Sequence, residues 1–537
     1  MFFTTLKNTH FFFLLFFLCL GKIQAQRNVI LIIADDLGSD YCGFSENHLD
    51  TVKLPNVRKL LATGVWFRNA WSNPLCSPTR AGILTGRYSI RTGVGNAVGG
   101  QGSAVLDTSE KTIPKLLNAW QPQAISKANI GKWHLSLPMP VSNYIIPNQI
   151  GYDHFEGNFT GVLNSYTNWT KITNGVASNN TNYATTETAN NAISWIKNQP
   201  PGKPFFAWLA FNAPHTPFHL PPSNLHSYTS LSGSDADINA NPKSYFKAAV
   251  EALDHEIGRI FDSLKVIDKY DSTDIIFIGD NGDDALVSQV TGGAKGTVYQ
   301  EGVSVPFIIS GPSVVNPNRV SNALVNTQDL FATILEMFGN TNWSSQIPAN
   351  KPVDSKSIMP VLKAQTDSIR PWAFTEVFKN PATPVDGKAM RNRDYKLLDF
   401  DNGTQRFYRI STDPDENQNL LLNTLSTEAS SQYTFLCQEM TNLVGIPRFC
   451  DLTTANTETI DEDRIFIYYT PDADYFKISG SVAGEVQLYN VSGKSLSVLT
   501  KNEDNAYSLS GISSGVYILK IQTSKGPRAL KLLVTNW

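Results

Sequence analysis

The chain has 537 residues, 41% of them hydrophobic, and a formal net charge of −3. That length predicts three or four folding units with a large core. The near-neutral charge gives no basic footprint for nucleic acid, so a polyanionic ligand must be met by local cations.

In chain order, Met1 to Ala25 comes first. It carries one basic residue, Lys7, then the apolar run Phe11 to Leu20, with Ala25 as a cleavage point. The run is too short to span a bilayer. The segment reads as a secretory signal peptide, and no later stretch reaches membrane-spanning length. Its removal would take one of the five cysteines, Cys19, leaving Cys42, Cys76, Cys437 and Cys450. Cys437 and Cys450 are close enough in sequence to bridge in an oxidising compartment.

Four apolar runs of strand length end abruptly in polar residues. Asn28 to Ala34 ends at Asp35-Asp36. Ala128 to Ile130 leads through Gly131 to Lys132-Trp133-His134. Phe205 to Phe211 ends near His215, and Asp274 to Gly279 ends at Asp280-Asn281. Such runs, separated by helix-like stretches, predict a large, mostly parallel sheet sandwiched by helices. Ligands of such sheets bind beyond the carboxyl ends of the strands. Every polar cluster here lies at that end of its run.

Between the first two runs lies Cys76-Ser77-Pro78-Thr79-Arg80-Ala81-Gly82-Ile83-Leu84-Thr85-Gly86. Pro78 and Thr79 read as the start of a helix, which leaves Cys76 at the positive end of its dipole. Arg80 follows one turn on. Asp35, Asp36, Asp280 and Asn281 offer only oxygen ligands, which suit Ca²⁺ or Mg²⁺. Arg80, Lys132 and Lys295 are cations suited to an oxyanion. His134 and His215 can move protons near neutral pH. Each residue alone has an ordinary structural reading: a turn, a cap, a solvated lysine. Their shared position at strand exits argues for one site.

Cys-x-Pro-x-Arg followed by Leu-Thr-Gly resembles the signature of the type I, formylglycine-dependent sulfatases of the alkaline phosphatase superfamily. Thr79 stands where the motif usually has Ser. Asn28 to Gly38, Gly131 to Leu135, Ala213 to Pro217, Tyr245 to Ile260, Gly279 to Gly282 and Lys295 to Tyr299 are similar to further family segments. Gln300 to Pro306 departs from the frequent Glu-Gly-Gly-x-Arg-Val-Pro by lacking the Arg. The resemblance spans residue 26 to about 420. It implies that a formylglycine-generating maturase converts Cys76 to Cα-formylglycine (3-oxoalanine). It also implies one divalent cation, Ca²⁺ with Mg²⁺ as the alternative, held by Asp35, Asp36, Asp280, Asn281 and the modified Cys76. In the implied chemistry Arg80 favours the ionised hydrate, which attacks sulfur. Lys132 and Lys295 neutralise the transferring group. His215 protonates the leaving oxygen, and His134 takes the proton whose loss releases sulfate. The implied activity is a sulfuric ester hydrolase. A formylglycine-dependent phosphodiesterase or phosphonate hydrolase is the enzymatic alternative, and a non-catalytic surface glycan-binding protein the other.

Trp372 to Thr375, Tyr395 to Leu398 and Arg406 to Arg409 predict a small antiparallel sheet in a second, α+β subdomain. Residues 455–465 have a linker composition. Beyond them, Tyr475 to Ile478, Glu485 to Tyr489 and Gly515 to Ile521 alternate as short strands of a β-sandwich. Val486 to Lys494, Leu509 to Lys520 and Lys531 to Val534 resemble the C-terminal sorting domain of type IX secretion. The expected units are a signal peptide (1–25), a catalytic α/β domain (26–345), a sulfatase C-terminal subdomain (346–455) and a sorting domain (456–537). The expected product is secreted or displayed at the cell surface by the type IX machinery. Its expected substrate is a sulfated polysaccharide, with algal glycans such as ulvan, carrageenan or fucan favoured.

Overall fold

A computed structural model describes residues 27–43, 48–100, 102–290, 294–379 and 386–445, and most of 467–534. The expected signal peptide, Cys450 and the linker lie outside the described residues.

Ten strands form one mixed sheet: β1 (Asn28–Asp35), β2 (Gly64–Trp71), β3 (Ser126–Gly131), β4 (His154–Gly157), β5 (Trp169–Thr173), β6 (Val176–Asn180), β7 (Phe205–Pro214), β8 (Thr273–Gly279), β9 (Phe307–Ser310) and β10 (Arg319–Asn326). Their order is β10-β2-β9-β8-β1-β7-β3-β4-β5-β6. The four runs read from sequence are β1, β3, β7 and β8. They lie side by side at the centre and pair in parallel. The sheet is parallel there because helices cover both faces, and it turns antiparallel at β9, β5 and β6.

Strand alternation divides the core in two. Val29, Leu31 and Ile33 face one apolar cluster, which includes residues of the Cys76–Thr85 helix. Ile30, Ile32 and Ala34 face the other, packed against the long Pro242–Val266 helix. All of β1 is buried, so truncating any of these large side chains would cost about 2–5 kcal/mol.

The predicted antiparallel sheet is present, built from Ala373–Val377, Gly387–Arg391, Lys396–Phe400 and Gln405–Tyr408. It packs on the helix Thr427–Val444 through Phe374, Leu397, Tyr433 and Leu436. Cys437 of that helix is disulfide-bonded. The C-terminal strands form a three-stranded and a four-stranded antiparallel sheet. Phe476 and Tyr507 of the first share one core with Val486, Leu488, Leu519, Ile521 and Leu532 of the second, as expected for a sandwich.

Candidate active site

Parallel register brings the strand ends level. Ala34 pairs with Gly279, Asp35 with Pro214, and Gly131 with Ala210. Asp35, Asp36, Lys132, His215 and Asp280 therefore emerge along one edge. Gly131 makes its turn possible: it sits at φ 103, and a Cβ there would lie 1.9 Å from the Ala210 carbonyl oxygen. Asp36 (φ 63) and His134 (φ 51) both hold the sparsely populated left-handed conformation, a strain that clusters at functional positions.

Cys76 enters the same edge from the other side. Leu75 is extended, and the helix begins at Cys76 itself. The helix thus starts two residues before Pro78, and the thiol lies within its first turn. Cys76 Sγ is 3.1 Å from His134 Nδ1. His134 Nε2 lies 2.9 Å from the Val98 carbonyl, which can only accept. Nε2 therefore carries the proton, and Nδ1 presents a lone pair to Cys76. Burial, then the charge of Lys132, holds His134 well below the ordinary imidazole range, which keeps it neutral.

Asp35, Asp36, Asp280, Asn281, Arg80 and Lys132 are all completely buried. Arg80 donates from Nε and Nη2 to Asp280 Oδ2 (3.1 and 2.8 Å), and from Nη1 to the Lys132 carbonyl. Lys132 Nζ donates to Asp35 Oδ2 at 2.5 Å. The Asp36 backbone N–H donates to Asp280 Oδ1, and Asn281 Nδ2 to Asp36 Oδ1. Two acceptors are left over: Asp35 Oδ1 and Asn281 Oδ1 are buried without a hydrogen-bond donor. Asp35, Cys76 and Asp280 bring ligand atoms within 4.8 Å of one another. Orphaned oxygens among carboxylates fit a hard divalent cation. Asp36 itself is pushed up by burial, but the charge and hydrogen bond of Lys295, with the charge of Lys132 behind it, outweigh this and hold it below the usual carboxylate range.

Lys295 Nζ donates to Asp36 Oδ2 at 2.7 Å and to His215 Nε2 at 2.9 Å. His215 Nδ1 lies 2.8 Å from the Thr216 carbonyl. His215 is therefore neutral, protonated on Nδ1, and takes a hydrogen bond from Lys295 on the other nitrogen. Burial brings it down to about 3 despite Asp36 nearby. Burial also opposes the charge on Lys295, but Asp36 outweighs it and raises the ammonium.

A cavity of about 490 Å³ opens onto Cys76, His134, His215 and Lys295. All ten residues singled out from sequence gather around this point. Arg80 and Lys132 lie beneath the cavity as counter-charges to the carboxylates. Three positioning residues escaped sequence reasoning. Ser77 Oγ donates to the His134 carbonyl and accepts from the Val98 N–H, tying both loops to the helix. A Cβ at Gly161 would sit 2.3 Å from His134 Cε1 and 2.4 Å from Nε2. Tyr166 Oη donates to the carbonyls of Asn212 and His215, pinning that loop. Ser77 lies inside the motif, whereas Gly161 and Tyr166 carry no local pattern.

Fold and site together define an α/β protein with a carboxylate–cysteine centre at the carboxyl edge of its sheet. Comparison with known proteins gives the family. The Sulfatase family profile matches residues 27–340, and the chain belongs to the sulfatase family. Residues 294–443 match the N-sulphoglucosamine sulphohydrolase C-terminal family, and 466–535 the secretion system C-terminal sorting domain. Among curated relatives, Arylsulfatase J of Mus musculus is 28% identical over 334 residues, covering 58% of this chain and 52% of that protein. N-acetylgalactosamine-6-sulfatase of Homo sapiens is 28% identical over 374 residues, covering 62% and 65%. The chain thus spans about half to two thirds of the length of these two relatives. The crystal structure of Ps i-CgsB superposes with a TM-score of 0.66 at 24% identity, covering 78% of this chain and 93% of that one. Its complex with k-i-k-neocarrahexaose superposes with a TM-score of 0.63 at 23% identity, covering 80% and 100%. These two likenesses are of fold. No helix among the described residues is long and apolar enough to cross a membrane.

Proposed function

We propose that the protein hydrolyses sulfate esters of a sulfated glycan outside the cell. The observation that carries this reading is Cys76 Sγ set against the free Nδ1 of His134, above buried carboxylates with two unpartnered oxygens. Family membership supports conversion of Cys76 to formylglycine by a maturase; its hydrate would supply the nucleophile for sulfur. Asp35, Asp36, Asp280, Asn281 and the modified Cys76 would hold one divalent cation, Ca²⁺ or Mg²⁺, which would supply charge stabilisation for the nucleophile and the sulfuryl oxygens.

The chain's own residues do the rest. His134 accepts a proton at Nδ1 from the group at position 76, while the Val98 carbonyl fixes its tautomer. Lys295 is the cation that reaches into the cavity, where it attracts a sulfate and stabilises charge as it develops. His215 and Lys295 form the proton-donating pair for the leaving oxygen. In their resting arrangement the proton sits on Lys295, which hydrogen-bonds His215 Nε2. Arg80 and Lys132 fix the carboxylates.

The sorting-domain match supports export through the type IX machinery, with residues 456–537 serving that role and 26–345 and 346–455 forming the enzyme. The carrageenan-type oligosaccharide bound to a protein of the same fold supports a polysaccharide substrate, algal glycans included. Purified enzyme should turn over an aryl sulfate faster than an aryl phosphodiester. Peptide mass spectrometry should find Cys76 lighter by exchange of sulfur for oxygen. Full activity with an entirely unmodified cysteine would sink the reading, and preference for the phosphodiester would move the protein to the alternative chemistry.

A further inference from the structure

The cavity has two zones. Its floor is polar: Cys76, His134, His215 and Lys295. Its walls and mouth are built by two loops and are mostly apolar. Leu137 and Pro138 come from the segment after His134, and Phe159 and Val162 from the segment after β4, with Val98 between them. Leu137 is 43% exposed and Val162 50% exposed, although either could have been buried in a fold of this size. Met139, just beyond Leu137, is 64% exposed. Apolar side chains thus line the approach to a charged floor.

Cations are confined to the floor. Among the described lining residues Lys295 is the only Lys or Arg, and Asp36 and His215 already hold it in place. His134 and His215 are each engaged at both ring nitrogens by hydrogen bonds within the protein. Gln101 and residues 291–293, which adjoin the lining segments in the chain, are uncharged in the sequence. One anionic group can therefore be received at the floor. A second, one or two bonds away on the same sugar, would be pressed against Leu137, Phe159 or Val162. It would lose water there with no second cation to meet it, only the neutral hydroxyls of Ser136 and Thr160 in the same lining.

Resting on the sulfatase reading, we infer that the site selects an isolated sulfate ester on an otherwise uncharged leaving group. A neutral sugar with an apolar ring face, or an aryl group, fits. A sugar with a neighbouring sulfate or a carboxylate does not. Leu137 and Val162 are the specificity-determining residues. The substrate is then a sparsely sulfated neutral glycan or its fragments, and uronate-bearing, densely sulfated chains are excluded.

The test compares three probes: an aryl sulfate, a neutral monosaccharide with one sulfate, and the same monosaccharide with a second sulfate on the adjacent carbon. Turnover is measured with wild type, and binding by calorimetry with the Cys76→Ala variant. The monosulfated sugar should exceed the disulfated one by at least about tenfold in kcat/KM and in affinity, ~1.4 kcal/mol. Leu137→Arg and Val162→Arg should each narrow that gap by improving the disulfated probe, and Leu137→Met should leave it unchanged. Both side chains are exposed, so these variants should fold. Equal turnover of the two sugars, with the aryl sulfate also cleaved, overturns the inference and leaves the sulfatase reading intact. No turnover of any ester, aryl sulfate included, overturns both.

Discussion

Two carboxylate clusters stand at the same strand ends and are handled in opposite ways. Asp35, Asp36 and Asp280 face Arg80, Lys132 and Lys295, all within ion-pair distance. A few residues further along the same loops, Asp40, Asp283 and Glu301 bring oxygens within 4.8 Å of one another. Among the described residues no Lys or Arg pairs with this second trio; its donors are neutral, the Gly38 N–H to Asp283 and Gln289 to Asp40 and Glu301, and the basic side chain beside it is His48, 3.8 Å from Glu301. Burial, then the charge of Asp40, pushes both Asp283 and Glu301 upward, Glu301 to about 8. The second cluster therefore holds protons, while the first holds fixed positive charge. Acidity alone does not make an oxyanion site. Two buried cations and a third at the cavity do, because they offset the carboxylates and leave room for one more anion.

The largest effect should come from removing the reacting atom between those charges. Cys76→Ala should lower kcat on an aryl sulfate by on the order of 10³-fold or more, with an unchanged circular dichroism spectrum. Retained turnover would place the nucleophile elsewhere. Next comes the counter-charge. Asp280→Ala strips Arg80 of the oxygen that accepts from both its Nε and Nη2, in a completely buried position. Leaving that guanidinium with only the more distant Asp35 Oδ1, at 3.7 Å, as counter-charge should cost about 3–5 kcal/mol in denaturant unfolding, and Ca²⁺ binding by calorimetry should be lost with it. A variant that keeps both stability and Ca²⁺ would break the contrast between the clusters.

A smaller, more local change tests orientation alone. Gly161→Ala places a methyl against the His134 ring, which Val98 and Cys76 otherwise fix. We expect about a tenfold fall in kcat, because small misplacements of a catalytic group are costly. KM and melting temperature should change little. An unaltered kcat would show that the ring can move aside without loss.

These contrasts also mark how far the sequence could be read. The central strands were legible because each is a continuous apolar run, and their polar exits because a parallel sheet aligns strand ends. Cys76, Lys132 and His134 sit in dense local motifs. The edges of the sheet were not legible: β5 and β6 carry mixed, half-exposed residues whose pairing depends on β4. Gly161 and Tyr166 matter through contacts to residues 27 and more than 40 positions away, so no spacing rule reaches them. Asp40, Asp283 and Glu301 are as acidic as the site residues. What separates the two groups is which cations fold against them, and that is a property of the assembled sheet.

The smallest expected effect concerns pH and the second cluster. Glu301 faces Asp40, Asp283, His48 and, through His48, Asp415. Its folded value of about 8 lies above the ordinary 4.5, so between these limits the native state binds more protons than the unfolded chain. The stability that Glu301 contributes is full below about pH 4.5 and is lost as pH rises towards 8. His215 runs the other way. Its value of about 3, against an ordinary 6.5, adds stability as pH rises through that interval, and this gain is complete near pH 6.5. The window from pH 6.5 to 8.5 therefore lies beyond the range of His215, and the difference between wild type and Glu301→Gln within it reports Glu301. Across it the wild type should lose stability by at most about 1.4 kcal/mol per pH unit from this group, and Glu301→Gln should flatten the slope and melt higher at pH 8. The catalytic rate should stay close to that of the wild type, since Glu301 touches none of the residues lining the cavity above Cys76. Parallel slopes for the two proteins in thermal melts across this window would mean that the cluster is already ionised and is held by some other counter-charge.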